Sequence, residues 1–290
     1  MILKREFGEL YYEVRGEGKP LLLIHGVIVD ASLYEQTAEI LSRYYKVICY
    51  DRRGYSRSKC KKTPEFRMED QVKDILDILN ELKIDRIIVT GASAGAVVGQ
   101  YFLQKYPEKV EYLLMYEPAM LGNMMQEEET FKNWAEETEE LIRKRKYNMA
   151  LLRFSKHIGY QDPRSPQKSE EVSLRELDNV EYAFNKEIPV LLRYYPDIDK
   201  MNQHADKITI AAGEKSEDSV YVQAAIRLAA QIGKKVVYYP GGHNLPYDLP
   251  LEFAICVIGT LAIVKKESFF LFPFIYGKYA FVTNTEVCYR

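Results

Sequence analysis

Residues 86–99, RIIVTGASAGAVVG, constrain the fold of this chain more than any other segment. The first five of these residues are mostly apolar and β-branched, which suits a short buried strand, and from Ala96 onward the pattern reads as helix. Between them stands Gly91-Ala92-Ser93-Ala94-Gly95. A backbone that passes from strand to helix in so few residues must double back, and only small side chains leave room for it. The turn puts the Ser93 hydroxyl at its tip and turns the N–H of Ala94 toward the same space. G-x-S-x-G in a strand–turn–helix setting is the pattern of a nucleophile elbow.

The same run, VTGASAG, is also similar to the glycine-rich nucleotide loop of short-chain dehydrogenases, T-G-x-x-x-G-x-G. There a helix N-terminus would hold a pyrophosphate. Three features count against that reading. Val97 stands where the last glycine should be. The loop lies a third of the way along the chain, whereas those enzymes open with it. Their Y-x-x-x-K pair occurs only as Tyr101 and Lys105, on the helix that follows the loop, out of reach of a nicotinamide.

The 290 residues suffice for one large domain, or one domain with an insertion. With 47% hydrophobic and 28% charged residues the composition is that of a globular protein. Forty basic against 42 acidic side chains leave a net charge of −2, so no basic field attracts nucleic acid or an anionic membrane, and we expect neither as a partner. Cys49, Cys60, Cys256 and Cys288 lack metal or redox spacing; Cys49 and Cys256 lie in apolar runs and read as buried thiols. Residues 1–16 are polar and alternating, without the apolar stretch of a signal peptide, so we expect a cytoplasmic protein. The longest apolar run, residues 253–264, is too short to cross a bilayer and reads as the last buried helix.

Strand and helix patterns alternate along most of the chain. Residues 10–15 suggest an edge strand; 20–24, 46–50, 86–90, 110–116, 208–212 and 236–239 suggest buried strands; 32–44, 69–82 and 220–232 suggest helices. Residues 126–196 are charged and helical, with no convincing strand. The pattern predicts an α/β fold, a mostly parallel sheet flanked by helices, with a helical insertion over the carboxyl ends of the strands, where open α/β sheets bind ligands. We divide the chain into a discontinuous core of residues 1–119 and 200–264, a helical cap of residues 120–199, and a C-terminal extension of residues 265–290.

Five segments, LLLIHGVIVD, CYDRRGYSRS, VTGASAG, LLMYEP and YYPGGHNLP, follow one another in this order. Together they resemble the α/β-hydrolase superfamily, in particular its cofactor-free, serine-dependent, cap-bearing branch, over about residues 8–264. The resemblance implies an α/β-hydrolase fold and a Ser-His-acid triad, with no metal or organic cofactor. Ser93 is the implied nucleophile. His243, in Pro240-Gly-Gly-His-Asn after the last core strand, is the implied base. The resemblance gives His25 a structural role and places an oxyanion hole at the backbone N–H groups of Val27 and Ala94. His157 and His204 read as cap or solvated residues.

The acid has two candidates. The family's usual place for it is the turn after the strand at 208–212, but Ser216 stands there, followed by Glu217 and Asp218. Some cap-bearing members, including certain haloalkane dehalogenases, take the acid from the end of the strand after the nucleophile helix, where this chain has Glu117. An unpaired carboxylate would be costly at the end of an apolar strand, and the imidazole of His243 would supply a partner. We take Glu117 as the acid and Asp218 as the alternative. The turn Asp51-Arg52-Arg53-Gly54-Tyr55-Ser56 matches the family's D-x-R-G-x-G-x-S imperfectly; we expect its charges to pair locally.

These residues imply a carboxylesterase-like serine hydrolase that cleaves a small or medium ester, or a related acyl substrate, through an acyl-enzyme. A dehalogenase or epoxide hydrolase needs a carboxylate where this chain has Ser93. A lactonase, a C–C hydrolase, an acyltransferase or a perhydrolase could run on the same triad, and a silent ligand-binding member would keep the fold without the chemistry. The expected partner is a small-molecule acyl substrate, bound by a monomer or a homodimer. Met120, Met124, Met125, Phe131, Trp134, Tyr147, Phe154 and Tyr160 supply the apolar surface of the insertion, as cap core and in part as pocket lining. Residues 268–290 are aromatic and β-prone; a turn at Gly277-Lys278 would pair 274–276 with 279–282 in a hairpin.

Overall fold

A computed structural model of the protein describes residues 1–159, 161–216, 219–265, 280–282 and 287–289. Within it the apolar runs assemble into one eight-stranded sheet. Its strands are β1 (Ile2–Arg5), β2 (Gly8–Arg15), β3 (Lys19–Ile24), β4 (Tyr45–Tyr50), β5 (Ile87–Ala92), β6 (Val110–Tyr116), β7 (Ile208–Gly213) and β8 (Val237–Tyr239). They lie in the order β1-β2-β4-β3-β5-β6-β7-β8. The pairs β1–β2 and β2–β4 are antiparallel, and every pair from β4 to β8 is parallel.

The central strands are apolar in a continuous run because both their faces are covered. The two-residue period of a strand sorts its side chains into two layers. Leu22, Ile24, Ile87 and Val89 join one core, while Leu21, Leu23 and Ile88 join the other. Helices α1 (Glu35–Leu41), α2 (Met68–Glu81) and α3 (Ala94–Lys105) connect the strands up to β6. In α2 the buried stripe Val72, Ile75, Ile78 and Leu79 carries the expected helical spacing.

Between β6 and β7 the chain is helical: α4 (Gly122–Glu127), α5 (Glu129–Arg143), α6 (Tyr147–Ile158), α7 (Glu170–Tyr182), a π-turn (Ala183–Glu187), α8 (Ile188–Leu191) and α9 (Ile198–Asn202). Helices α10 (Val220–Gln231), α11 (Leu245–Asp248) and α12 (Pro250–Lys265) complete the chain's α/β part. No helix among the described residues is long and apolar enough to cross a membrane.

Two expectations change, and a third falls mostly outside the described residues. Residues 10–15 do not form the edge of the sheet, because β1 pairs outside β2 in the register Leu3↔Leu10. The region 32–44 is split into a 3-10 turn (Ala31–Tyr34), capped by the Asp30 carboxylate on the N–H of Ser32, and a shorter α1. Near the C-terminus β9 (Ala280–Val282) pairs antiparallel with β10 (Val287–Tyr289); the Gly277-Lys278 turn and residues 274–276 lie outside the described residues.

Candidate active site

Ser93 follows β5 directly and stands at the head of α3, with φ +55° and ψ −122°. A left-handed φ in a non-glycine residue is strained, at a cost on the order of 1–3 kcal/mol, and is held only by surrounding contacts. Here those contacts are backbone bonds. The N–H of Ser93 donates to the carbonyl of Tyr116 at 2.9 Å, and its own carbonyl accepts from Ala96 and Ala119 at 3.1 and 3.2 Å. The neighbouring glycines are steric necessities. A Cβ on Gly95 would lie 2.0 Å from the Ile24 carbonyl oxygen, and one on Gly91 would lie 2.4 Å from that of Gly95. The Ser93 side chain makes no capping bond to its helix, which leaves the hydroxyl available.

The loop after β3 lies against the serine: a Cβ built on Gly26 would be 3.3 Å from Ser93 Cβ and 3.8 Å from Oγ. His25 is fully buried and accepts from the Arg52 N–H at Nε2, 2.9 Å. Its Nδ1 therefore carries the proton and donates to the Gly26 carbonyl at 2.7 Å. Burial, reinforced by the Arg52 guanidinium, lowers its pKa to about 3, so the ring is neutral. The structural role expected for His25 agrees with these bonds.

His243 sits between β8 and α11, with Nδ1 2.6 Å from Glu117 Oε2. Glu117 directly follows β6, with φ +40°, and is fully buried. Its other oxygen accepts from the Gly213 N–H at 2.8 Å, so both carboxylate oxygens are engaged. The preceding Tyr116 hydroxyl donates to the Gly242 carbonyl at 2.7 Å and ties the histidine loop to β6. Gly213 must be glycine: a Cβ there would lie 2.4 Å from the Gly241 oxygen, 2.7 Å from the Tyr116 hydroxyl and 3.0 Å from Glu117 Oε1. Glu217 and Asp218, the alternative acid among them, lie outside the described residues. Ser93, Glu117 and His243 thus follow the carboxyl ends of β5, β6 and β8, at one end of the sheet.

The sequence profile described as the alpha/beta hydrolase fold matches residues 19–250, most of the chain and all of these positions. The chain belongs to the α/β-hydrolase fold family. An uncharacterized hydrolase of Bacillus subtilis, YraK, is 29% identical over 81% of this chain and 86% of its own length. Among solved structures, one from a study of the carboxylesterases of Nitrososphaera gargenis superposes with a TM-score of 0.72 at 19% identity, covering 92% of this chain and all of that one. A thermophilic esterase from Thermogutta terrifontis gives 0.65 at 22% identity, covering 88% and 94%.

As an α/β-hydrolase fold, the chain carries its helical insertion directly against these loops. The His243 ring lies 4.2 Å from that of Tyr221 on α10, which meets His157 of α6 at 5.9 Å. His157 in turn stacks on Trp134 at 4.1 Å and on Phe131 at 5.4 Å. So His157 is a packed member of an aromatic layer; burial first, then the neighbouring His243 and Arg153, lower its pKa to about 4.

The charges around Asp51 pair differently from expectation. Arg57 binds Asp51 locally, at 2.8 Å from Nε, and Arg53 reaches Asp74 on α2 at 2.6 Å. Arg52 pairs with Glu187 of the insertion at 2.7 Å. Sequence reasoning missed Tyr116, Gly213 and Glu187 as parts of the site. The first two adjoin residues already singled out, whereas Glu187 lies in an unremarkable charged stretch.

Proposed function

We propose that this protein is a cofactor-independent serine hydrolase acting on small or medium carboxylic esters or related acyl compounds. The observation that carries the reading is the Glu117–His243 contact of 2.6 Å beside the strained Ser93 elbow. In this mechanism Ser93 Oγ attacks the substrate carbonyl carbon, and His243 Nε2 takes its proton. Glu117 holds the Nδ1–H tautomer and stabilises the imidazolium that forms. The oxyanion is received by the N–H groups of Val27 and Ala94. Both residues are buried, and among the described residues no acceptor takes either N–H, which suits donors awaiting a substrate oxygen. The imidazolium then protonates the leaving alcohol, and water, activated by His243, hydrolyses the acyl-Ser93 ester.

The helical insertion acts as a cap in this reading. Its layer of Phe131, Trp134 and His157 packs toward His243 through Tyr221, and an apolar cap of this kind would favour an apolar or flat acyl or alcohol group over a charged one. The esterases among the structural relatives are consistent with that substrate class.

The test is hydrolysis of a p-nitrophenyl ester series from acetate to octanoate, with wild type beside Ser93→Ala, and labelling by a fluorophosphonate probe. We expect turnover and labelling at Ser93, and loss of turnover by a factor of about 10⁴ or more in the variant. No turnover and no labelling would replace this reading with that of a silent binding protein.

A further inference from the structure

We infer that Arg52 and Glu187 are positioning residues for the oxyanion hole, through which the helical insertion sets the direction of the Val27 N–H; the inference rests on the serine-hydrolase reading above. The relevant unit is the peptide between Gly26 and Val27. A trans peptide is planar, so its C=O and N–H point in opposite directions. Fixing the Gly26 carbonyl therefore fixes the Val27 N–H.

That carbonyl accepts two hydrogen bonds, from His25 Nδ1 at 2.7 Å and from Arg52 Nη2 at 2.8 Å. One donor is a guanidinium, and a charge-assisted bond to the oxygen polarises the whole peptide unit, which strengthens the N–H at its other end. Arg52 cannot hold this position alone. Its side chain is fully buried, and a buried guanidinium without a counter-charge is very costly. Glu187, equally buried, closes a two-point bridge to it, Oε1 to Nη1 at 2.7 Å and Oε2 to Nη2 at 3.1 Å. The Tyr55 hydroxyl adds a third bond to Glu187 Oε2.

Glu187 is the last residue of the π-turn, and single-turn π-helices often occur at functional sites. The same stretch of insertion grips the oxyanion loop at two further points. Asn179 Nδ2 donates to the Ile28 carbonyl at 2.7 Å, and Arg175 binds Asp30 at 2.7 Å. Ile28 needs this support, since φ +72° is unusual for a β-branched residue. The oxyanion loop and its neighbouring turn are thus joined to the insertion at three points.

The test compares wild type with Glu187→Gln and with the double variant Arg52→Met/Glu187→Leu, which replaces the ion pair by apolar side chains of similar volume, an exchange often tolerated. The ¹H–¹⁵N resonances of Val27 and Ala94, the Tm, and kcat and KM on the preferred p-nitrophenyl ester are measured, with the inhibition constant of a trifluoromethyl ketone. We expect the Val27 resonance to move and that of Ala94 to stay. We expect kcat to fall about 10- to 100-fold, less than the effect of deleting a donor outright, with KM little changed and the ketone weakened by the same factor. An unmoved Val27 resonance, or a moved one with unchanged kcat in an active enzyme, overturns the inference. A double variant that cannot fold also overturns it, since the pair is then a strut of the fold. If wild type itself neither turns over esters nor labels at Ser93, the serine-hydrolase reading fails, while the Val27 resonance still decides whether the pair holds that peptide.

Discussion

Glu117 Oε2 lies 2.6 Å from His243 Nδ1 across 126 residues of sequence, and the rest of the Glu117 carboxylate is committed to the N–H of Gly213. A carboxylate so placed can fix both the tautomer and the orientation of the imidazole. Replacing it by the isosteric amide keeps the shape and removes the charge. Glu117→Gln is expected to lower kcat by about 10³- to 10⁴-fold with little change in KM or Tm. Asp218→Asn should leave all three nearly unchanged. Steady-state kinetics on both variants decide the assignment: the reverse pattern would move the acid to Asp218.

Gly213 offers a second, purely steric test of the same arrangement. Its α-carbon faces the Gly241 oxygen, the Tyr116 hydroxyl and Glu117 Oε1, so a methyl group there would press on all three. Gly213→Ala should destabilise the fold by about 1–3 kcal/mol, as overpacking does, and should lower kcat beyond what the lost stability explains. Denaturant unfolding and kinetics measured below the unfolding transition separate the two effects. Unchanged kcat would mean that the acid and the histidine loop can give way without consequence.

The sequence made the central strands and the elbow legible because both depend on local rules. Continuous apolar runs mark doubly covered strands, and Gly91 and Gly95 mark a backbone that must approach another closely. Glu117 was singled out for a different reason, by the family resemblance, supported by the cost of an unpaired carboxylate at the end of an apolar strand. What the sequence hid was non-local. Arg52 finds its counter-charge 135 residues away in the insertion, and no periodicity announces such a pair. The edge position of β1 was equally hidden, since the four residues Ile2–Arg5 do not mark a strand separate from the one that follows.

The C-terminal segment provides a third prediction. Every residue assigned a role in catalysis or positioning lies between His25 and His243, and α12 closes the α/β part at Lys265. Deleting residues 268–290 is expected to leave Tm, kcat and KM close to those of the full chain. A soluble truncated protein without activity would contradict this and give the extension a part in the site.

One buried and one half-buried histidine, His25 and His157, give the stability a defined pH dependence. Burial lowers the pKa of His25 to about 3 and that of His157 to about 4, from an ordinary 6.5. Below pH 6.5 the unfolded chain takes up protons at these positions while the folded protein does not. The unfolded state then binds more protons, and stability falls as the pH drops. For His157 the window runs from about pH 6.5 down to about pH 4, where the folded protein also protonates. Within most of it one histidine contributes a slope of about 1 kcal/mol per pH unit. The flat His157 ring stacks on Trp134, so His157→Phe preserves the aromatic layer and removes the titrating group. Urea unfolding at pH 7 and pH 5 should therefore show a smaller loss of stability in the variant than in wild type, with the His25 contribution still present. Equal losses in the two proteins would mean that His157 already titrates near its ordinary value in the folded state, and that the aromatic layer beside His243 is open to water.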